Sequence, residues 1–256
     1  MSQFLGVMRH EYKIAVQSLG MWIAYGVLYL FFAVTVFMPE ELGKGFPAFR
    51  EEIWQYAAYS LFYVNMFMVL LGGILAADRL QRDYRLGVRE LQQSTPIGSG
   101  KYLLAKYFGV LSAVSLPMVL YVMVLSMVNV VYGSPPVYPL VMLVTFLVMG
   151  VPAYAFVVAF SLACPLFMPV RVYQVLFVGY WFWGNYLSPD VFLTISHTLL
   201  VPSGRYALHG FFGGFPSVYS NFEAVNVTAL DAILNLIILM GIPVLVLLLT
   251  NQVLRR

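Results

Sequence analysis

The sequence predicts an all-α integral membrane protein with an amphipathic interfacial helix at its amino terminus, six transmembrane helices, and short re-entrant helices before the last span. The first observation is composition: 61% of the 256 residues are hydrophobic and 10% are charged, against roughly 45–50% and about 25% in soluble domains. The second is the placement of charge. Nine charged residues lie between Asp78 and Lys106, and the next one along the chain is Arg171. So long an uncharged stretch is typical of a protein in a lipid bilayer.

The amino-terminal segment, residues 1–20, predicts a helix that lies in the membrane interface. Arg9, Lys13 and Gln17 fall on one side of this helix, and apolar side chains at helical spacing fall on the other. Basic residues on the polar side of such a helix face anionic lipid headgroups. The apolar positions are Phe4, Leu5, Met8, Tyr12, Ala15, Val16 and Leu19.

Six apolar segments qualify, or nearly qualify, as membrane spans, since a helix needs roughly 20 residues to cross a hydrocarbon core about 30 Å thick. The fifth is short, about 24 Å as a helix. The apolar run 191–201 that follows it is too short to cross alone. We therefore predict a half-buried re-entrant helix there, within an outer segment 189–231. The predicted spans are 21–38, 56–77, 108–132, 140–167, 172–187 and 232–253.

Lysine and arginine residues fall unevenly on the two sides of these spans. Eleven of the 14 lie on the side of the two termini and of segment 78–106, and three, Lys44, Arg50 and Arg205, lie on the other. Because cytoplasmic loops carry the excess of basic residues, both termini and segment 78–106, which we call the hinge, are predicted to be cytoplasmic. The chain reads as one multi-pass transmembrane domain, 1–256, with no internal repeat.

No segment predicts catalysis, a metal site or nucleotide binding. The motif IGSGK at 97–101 looks like a phosphate-binding loop, but Thr95 stands where the first glycine is required and Tyr102 where serine or threonine is required. The predicted spans contain no Asp, Glu or His, whereas ion-coupled carriers place ionisable groups inside the membrane. Energy is therefore expected to enter from outside the membrane, through the hinge. The one cysteine and the three histidines lack metal-ligand spacing: Cys164, His10, His197 and His209.

The hinge predicts a jointed connection between the second and third spans. A helix over 78–86 ends at Gly87, a short helix over 88–93 follows, and Pro96 ends that helix before a turn at 98–100 leads into the third span. Gly87 lets the chain change direction, and a proline disfavours helix at the residue before it. Such a short, charged helix is able to move two spans when another protein pushes on it. A solvated basic loop is the alternative, and on physical grounds both stay open.

Three runs in the hinge, RDYRLGVREL at 82–91, TPI at 95–97 and KYLLAK at 101–106, resemble the loop between the second and third spans in the membrane subunits of ABC type-2 exporters. Members of that family often show an acidic-basic pair, a glycine, a Glu-Leu pair, a proline and then Tyr-Leu-Leu-Gly-Lys at this place. The sequence departs from the pattern at Gln92 and Gln93, where apolar residues are common, and at Ala105, where glycine is usual.

The resemblance implies a permease subunit in a bacterial cell membrane that exports a hydrophobic or amphiphilic compound, such as a drug, an antimicrobial peptide or a lipid-like molecule. It implies a second membrane subunit, identical or homologous, and two copies of a cytosolic ATP-binding subunit. ATP and Mg²⁺ belong to that partner, no cofactor is expected in this chain, and nucleic acid is not an expected partner. The residues that the resemblance assigns to coupling with the ATPase are Arg85, Gly87, Arg89, Glu90, Pro96 and Lys106.

Aromatic and amide side chains indicate where a translocation path lies. Tyr180, Trp181 and Trp183 form an aromatic concentration at the outer end of the fifth span, and Asn65 lies in the middle of the second. We predict that these four residues line the path or the seam between two membrane subunits. An interfacial aromatic belt and a plain interhelical hydrogen bond of Asn65 are the alternatives.

Two functions from other classes stay open on the sequence. One is a stand-alone membrane enzyme or protease with its site in the outer segment 189–231. Asp190, Ser196 and His197 are its candidate residues, although their spacing gives no support to a catalytic triad. The other is a membrane sensor subunit that does not transport.

Overall fold

The computed structural model describes residues 2–36, 53–87, 97–187, 192–214 and 227–255, and all regular secondary structure in these residues is helical. A π-helical stretch, Phe146–Gly150, joins α6 to α7, and a 3₁₀ turn, Cys164–Leu166, follows α7. The helices are α1 (Ser2–Val16), α2 (Leu19–Val36), α3 (Ile53–Ala76), α4 (Arg79–Arg85), α5 (Ser99–Val131), α6 (Tyr138–Thr145), α7 (Val151–Ala163), α8 (Val170–Asn185), α9 (Arg205–Phe212) and α10 (Ala229–Arg255).

Four helical segments in the described part of the chain are long and apolar enough to cross a membrane: Ile53–Asp83, Ser99–Val131, Tyr138–Leu166 and Ala229–Leu254. They correspond to the second, third, fourth and sixth predicted spans. The first predicted span corresponds to α2, which qualifies only together with α1 as a pair bent by 58°. The fifth corresponds to α8, whose 16 residues rise about 24 Å. The prediction of an all-helical, multi-pass membrane protein is confirmed at this level.

The third membrane-spanning helix begins nine residues earlier than the predicted span. Gly98 is extended, with φ −68° and ψ 148°, and α5 starts at Ser99, where the sequence predicted a turn. The N–H of Tyr102 donates to the Gly98 carbonyl over 3.1 Å. Lys101 and Lys106 therefore lie in the first turns of a long helix, although their charges suggested a segment outside the span.

The prediction of a re-entrant helix over 191–201 is wrong for its described residues, because 192–204 form turns and bends. The hydroxyl of Thr194 donates to the carbonyl of Trp183, and that of Thr198 donates to the carbonyl of Ile195 over 2.8 Å. Such side-chain bonds to the main chain compete with helix formation. The short helix before the last span is instead α9, which begins after Gly204 at φ +89°.

At each end of the bundle, a hydrogen bond joins two elements that are far apart in sequence. At one end, which we call the hinge end, the hydroxyl of Ser99 at the start of α5 donates to Oδ1 of Asn251 near the end of α10 over 2.9 Å. At the opposite end, Nε2 of Gln55 in α3 donates to the carbonyl of Gly213 after α9 over 3.1 Å. The hinge and the carboxyl-terminal end of α10 therefore share one end of the bundle.

The helix α3 lies at the centre of the core, and two adjacent glycines let its neighbours approach. A Cβ atom at Gly72 would lie 2.6 Å from the ring of Tyr154, and one at Gly73 would lie 2.5 Å from Phe177 and from Val157. Polar side chains then fasten the helices through main-chain carbonyls. These bonds are Trp181 Nε1 to Met66 O at 2.7 Å, Gln174 Nε2 to Ile74 O at 3.0 Å, and Tyr25 OH to Val114 O at 2.8 Å.

Candidate functional site

A buried ionic cluster at the hinge end joins α1, α4 and α5. Its centre is Lys106 in α5, whose side chain is completely buried. The ammonium Nζ lies 2.6 Å from Oε1 of Glu11 in α1 and 2.5 Å from Oδ2 of Asp83 in α4. One cation therefore holds carboxylates from two other helices, at distances slightly below the roughly 2.7–2.9 Å usual for charge-assisted N–H···O hydrogen bonds.

The approach of α1 to α5 depends on Gly109, one turn after Lys106. A Cβ atom there would lie 2.6 Å from the carbonyl oxygen of Met8 and 2.8 Å from Cβ of Glu11. Because only glycine lacks that atom, the main chain of α1 rests directly on α5. Glu11 is then carried onto Lys106, and its side chain is 8% exposed.

The position of Asp83 follows from the break between α3 and α4. Residues 77 and 78 form a turn, and α4 continues for two further helical turns to Arg85. This brings Asp83 beside the first turns of α5, where the hydroxyl of Tyr102 also donates to its Oδ2. Tyr102 and Lys106 are four residues apart and so lie on the same face of α5.

Arg79 supplies a second buried positive charge beside the cluster. It is 9% exposed, its Nε lies 3.8 Å from Oδ1 of Asp78, and its charge interacts with those of Glu11 and Asp83. Two cations, Lys106 and Arg79, are thus surrounded by three carboxylates, those of Glu11, Asp78 and Asp83. Nη1 of Arg79 and Oε2 of Glu11 are both buried without a hydrogen-bond partner among the described residues. The cluster therefore has one unused hydrogen-bond donor and one unused acceptor.

The short helix α4 also contacts the turn between α7 and α8. Nε2 of Gln81 donates to the carbonyl of Pro165 over 2.7 Å and, less closely, to that of Met168 over 3.3 Å. Thus α4 follows α3 after a two-residue turn, and it is held to α1 and α5 by the ionic cluster and to the turn between α7 and α8 by Gln81. A displacement of α4 would therefore act directly on α1, α3 and α5 and on the turn between α7 and α8.

Three of the six predicted coupling residues lie in the described part of the chain. Lys106 is the centre of the cluster, Arg85 is the exposed last residue of α4, and Gly87 has φ +68° just after α4 ends. This left-handed conformation is the common glycine stop of a helix, which confirms the predicted break at Gly87. Arg89, Glu90 and Pro96, like the predicted short helix over 88–93, lie outside the described residues.

The four residues predicted for a translocation path differ in burial. Asn65 is fully buried, and its Nδ2 donates to the carbonyl of Ser203 over 2.9 Å. Trp181 is also fully buried, against α3. Tyr180 is half-buried, whereas Trp183 is 37% exposed and donates to the carbonyl of Leu193 over 2.8 Å. The structure therefore does not bring the four side chains together at one surface, and their role in a path stays a prediction.

Sequence reasoning missed Glu11, Arg79, Asp83 and Tyr102 as site residues. Glu11 stands at helical spacing from Phe4, Met8 and Ala15, which lie on the apolar side of α1. A single acidic residue on an otherwise apolar face was a signal for a buried partner, but nothing in the sequence named Lys106 as that partner.

The residues of the imagined hydrolytic site do not form a described group. Asp190 lies outside the described residues, Ser196 is buried, and His197 is exposed. The carbonyl of His197 accepts a hydrogen bond from the Tyr206 hydroxyl over 2.6 Å, which is a structural contact within the outer segment.

Comparison with known proteins adds no identification, since no protein-family model and no curated protein matches the chain. Function is therefore inferred from the geometry of the described residues and from the hinge sequence.

Proposed function

We propose that this chain is the membrane subunit of an ATP-driven exporter of the ABC type-2 kind, which moves a hydrophobic or amphiphilic compound out of the cytoplasm or the inner leaflet. The observation that carries the proposal is the buried cluster of Glu11, Asp83 and Lys106. Two of its three members, Asp83 and Lys106, lie in the segment whose sequence resembles that family's loop between the second and third spans, and Glu11 joins them from α1.

In this proposal two copies of a cytosolic subunit bind ATP and Mg²⁺, and a second membrane subunit completes the transporter. The ATPase contacts the hinge through Arg85, Arg89, Glu90 and Pro96. Gly87 ends α4 and sets the direction in which the contact segment leaves it. Because removing one partner of a buried ion pair costs about 3–5 kcal/mol, the cluster keeps α1, α4 and α5 together while they move. The force on α4 is thereby passed to the spans.

The finer topology belongs to the same proposal. It has six spans, with α2 and α8 as the first and fifth, and both termini and the hinge in the cytoplasm of a bacterial cell. Its support is that the hinge, the start of α5 and the end of α10 meet at one end of the bundle.

The test is to express the tagged chain in its host and to purify it together with any phosphate-loop ATPase that it binds. The complex is reconstituted in liposomes, and ATP hydrolysis is measured with the export of a fluorescent amphiphile. We expect Glu90→Ala and Gly87→Pro to lower the hydrolysis rate at least fivefold. Lys106→Met is expected to preserve assembly but to lower export more than hydrolysis.

Arg171→Gln is the matched control, because Arg171 is an exposed cation at the hinge end outside the cluster. It should change neither rate by more than about twofold. The proposal is wrong if no phosphate-loop ATPase co-purifies with the chain, or if the hinge variants and the control behave alike.

A further inference from the structure

A groove between α5, α7 and α10 opens on the side of the bundle, with one end at the hinge end. Its volume is about 370 Å³, within the roughly 300–1,000 Å³ of typical small-molecule sites. Its floor includes buried Tyr107 and Leu247, and its rims carry exposed apolar side chains such as Leu104, Phe108 and Val244. The groove is thus a concave apolar surface beside two membrane-spanning helices.

The length of the groove matches one leaflet of a membrane. It follows α5 from Gly100 to Leu111 and α10 from Met240 to Asn251. About 11 residues of helix rise roughly 16 Å, and half of a hydrocarbon core about 30 Å thick is about 15 Å. An acyl chain that starts at the hinge end therefore fills the groove and ends near the middle of the bilayer.

The hinge end of the groove is polar. Oδ1 of Asn251 accepts a hydrogen bond from the Ser99 hydroxyl. Nδ2 of the same amide would lie 3.4 Å from a Cβ atom at Gly100, and both residues line the groove at this end. Lys101 is exposed, and it precedes Leu104 by three residues and Phe108 by seven, so it lies on the same face of α5 as these lining residues. An ammonium and an amide donor at the mouth of an apolar groove are complementary to a phosphate that carries an acyl chain.

We propose that this groove binds one phospholipid of the leaflet at the hinge end, with an acyl chain between α5 and α10 and the phosphate at Lys101 and Asn251. Negatively charged headgroups are preferred, because the groove mouth carries the cation Lys101. The bound lipid covers apolar faces of α5 and α10 and holds α10 in place. This site depends on membrane insertion of the chain and does not depend on the exporter proposal.

The test uses the purified full chain in nanodiscs made of equal parts phosphatidylglycerol and phosphatidylcholine. After detergent extraction and washing, retained lipid is counted by native mass spectrometry. The wild type is expected to retain one phosphatidylglycerol. Lys101→Glu and Asn251→Leu should each reduce retention at least fivefold, and Val244→Trp should abolish it by filling the groove. Lys13→Glu, at an exposed lysine of α1, is the matched control and should retain the lipid.

Retention of phosphatidylglycerol by both Lys101→Glu and Asn251→Leu, or equal loss in Lys13→Glu, overturns the proposal. Two further outcomes assign the groove to another occupant and also overturn it. The first is a disulfide-linked dimer of a Cys164→Ser, Val244→Cys variant in membranes, which places a second copy in the groove. The second is displacement of the lipid by the fluorescent amphiphile at stoichiometric concentration, which makes the groove a site for the transported compound.

Discussion

Replacing Lys106 with methionine removes the centre of the ionic cluster while keeping the length of the side chain. The fully buried ammonium lies 2.6 Å from Glu11 and 2.5 Å from Asp83, and without it two carboxylates lose their shared partner. Removing one member of a buried ion pair costs about 3–5 kcal/mol. The side chain of Asp83 is 17% exposed and regains some hydration, so we expect a loss of about 3 kcal/mol in the free energy of unfolding.

The assay is denaturant-induced unfolding in detergent micelles, followed by far-ultraviolet circular dichroism and extrapolated to zero denaturant. Lys101→Met is the control on the same helix, and because Lys101 is exposed it should cost no more than about 0.5 kcal/mol. A triple variant, Glu11→Gln, Asp83→Asn, Lys106→Met, leaves no unpaired charge from the ion pairs and should recover at least half of the loss. A loss below about 1 kcal/mol for Lys106→Met alone would refute the buried pairing.

Three further perturbations test other contacts. Gly109→Val places side-chain atoms where Met8 and Glu11 approach α5, so we expect the unfolding free energy to fall by about 1–3 kcal/mol. Gly26→Val is the control and should cost less, because no atom lies within 4 Å of the added Cβ. Asn65→Leu removes the hydrogen bond to the Ser203 carbonyl, so hydrogen exchange in 192–214 should accelerate and unfolding free energy should fall by about 1–3 kcal/mol; unchanged exchange contradicts this. Burial, and secondarily the charge of Arg205, lowers the pKa of His209. The stabilising effect of the neutral imidazole is therefore complete above about pH 6.5 and is lost as the pH falls through the folded-state pKa. Amide protection of α9 should decrease between pH 7.5 and 5 in the wild type, and an equal decrease in His209→Gln contradicts the assignment of this effect to His209.

The positions of the membrane-spanning helices could be predicted because a span is a local property of the sequence. Apolar length and the positions of charged residues located α3, α5, the segment Tyr138–Leu166 that contains α6 and α7, and α10, and most of their ends were predicted to within a few residues. The start of α5 at Ser99 was the main exception. Lys101 and Lys106 looked like loop charges, but the first is exposed at a helix surface and the second is neutralised by buried partners.

The ionic cluster could not be predicted, because it is a property of the tertiary fold. Glu11 and Lys106 are 95 residues apart in sequence, and their contact needs α1 to cross α5 where Gly109 permits it. The prediction of a helix over 191–201 was wrong for a related reason. Its apolar content favoured a helix, whereas the hydroxyls of Thr194 and Thr198 bond main-chain carbonyls of the outer segment, and such competition with the helix is not visible in hydrophobicity.

The hydrogen bonds from Trp181, Gln174 and Tyr25 end on main-chain carbonyls of α3 and α5. Every residue type supplies a carbonyl, so the accepting positions, Met66 among them, are free to change side chain without breaking these bonds. The donors have no such freedom, because few side chains reach the same oxygen. A deep mutational scan should therefore be asymmetric across each contact: tolerance of apolar exchanges at the acceptor and intolerance at the donor. For each of these bonds, the sequence constraint that fixes how two helices pack therefore falls only on the helix that carries the donor side chain.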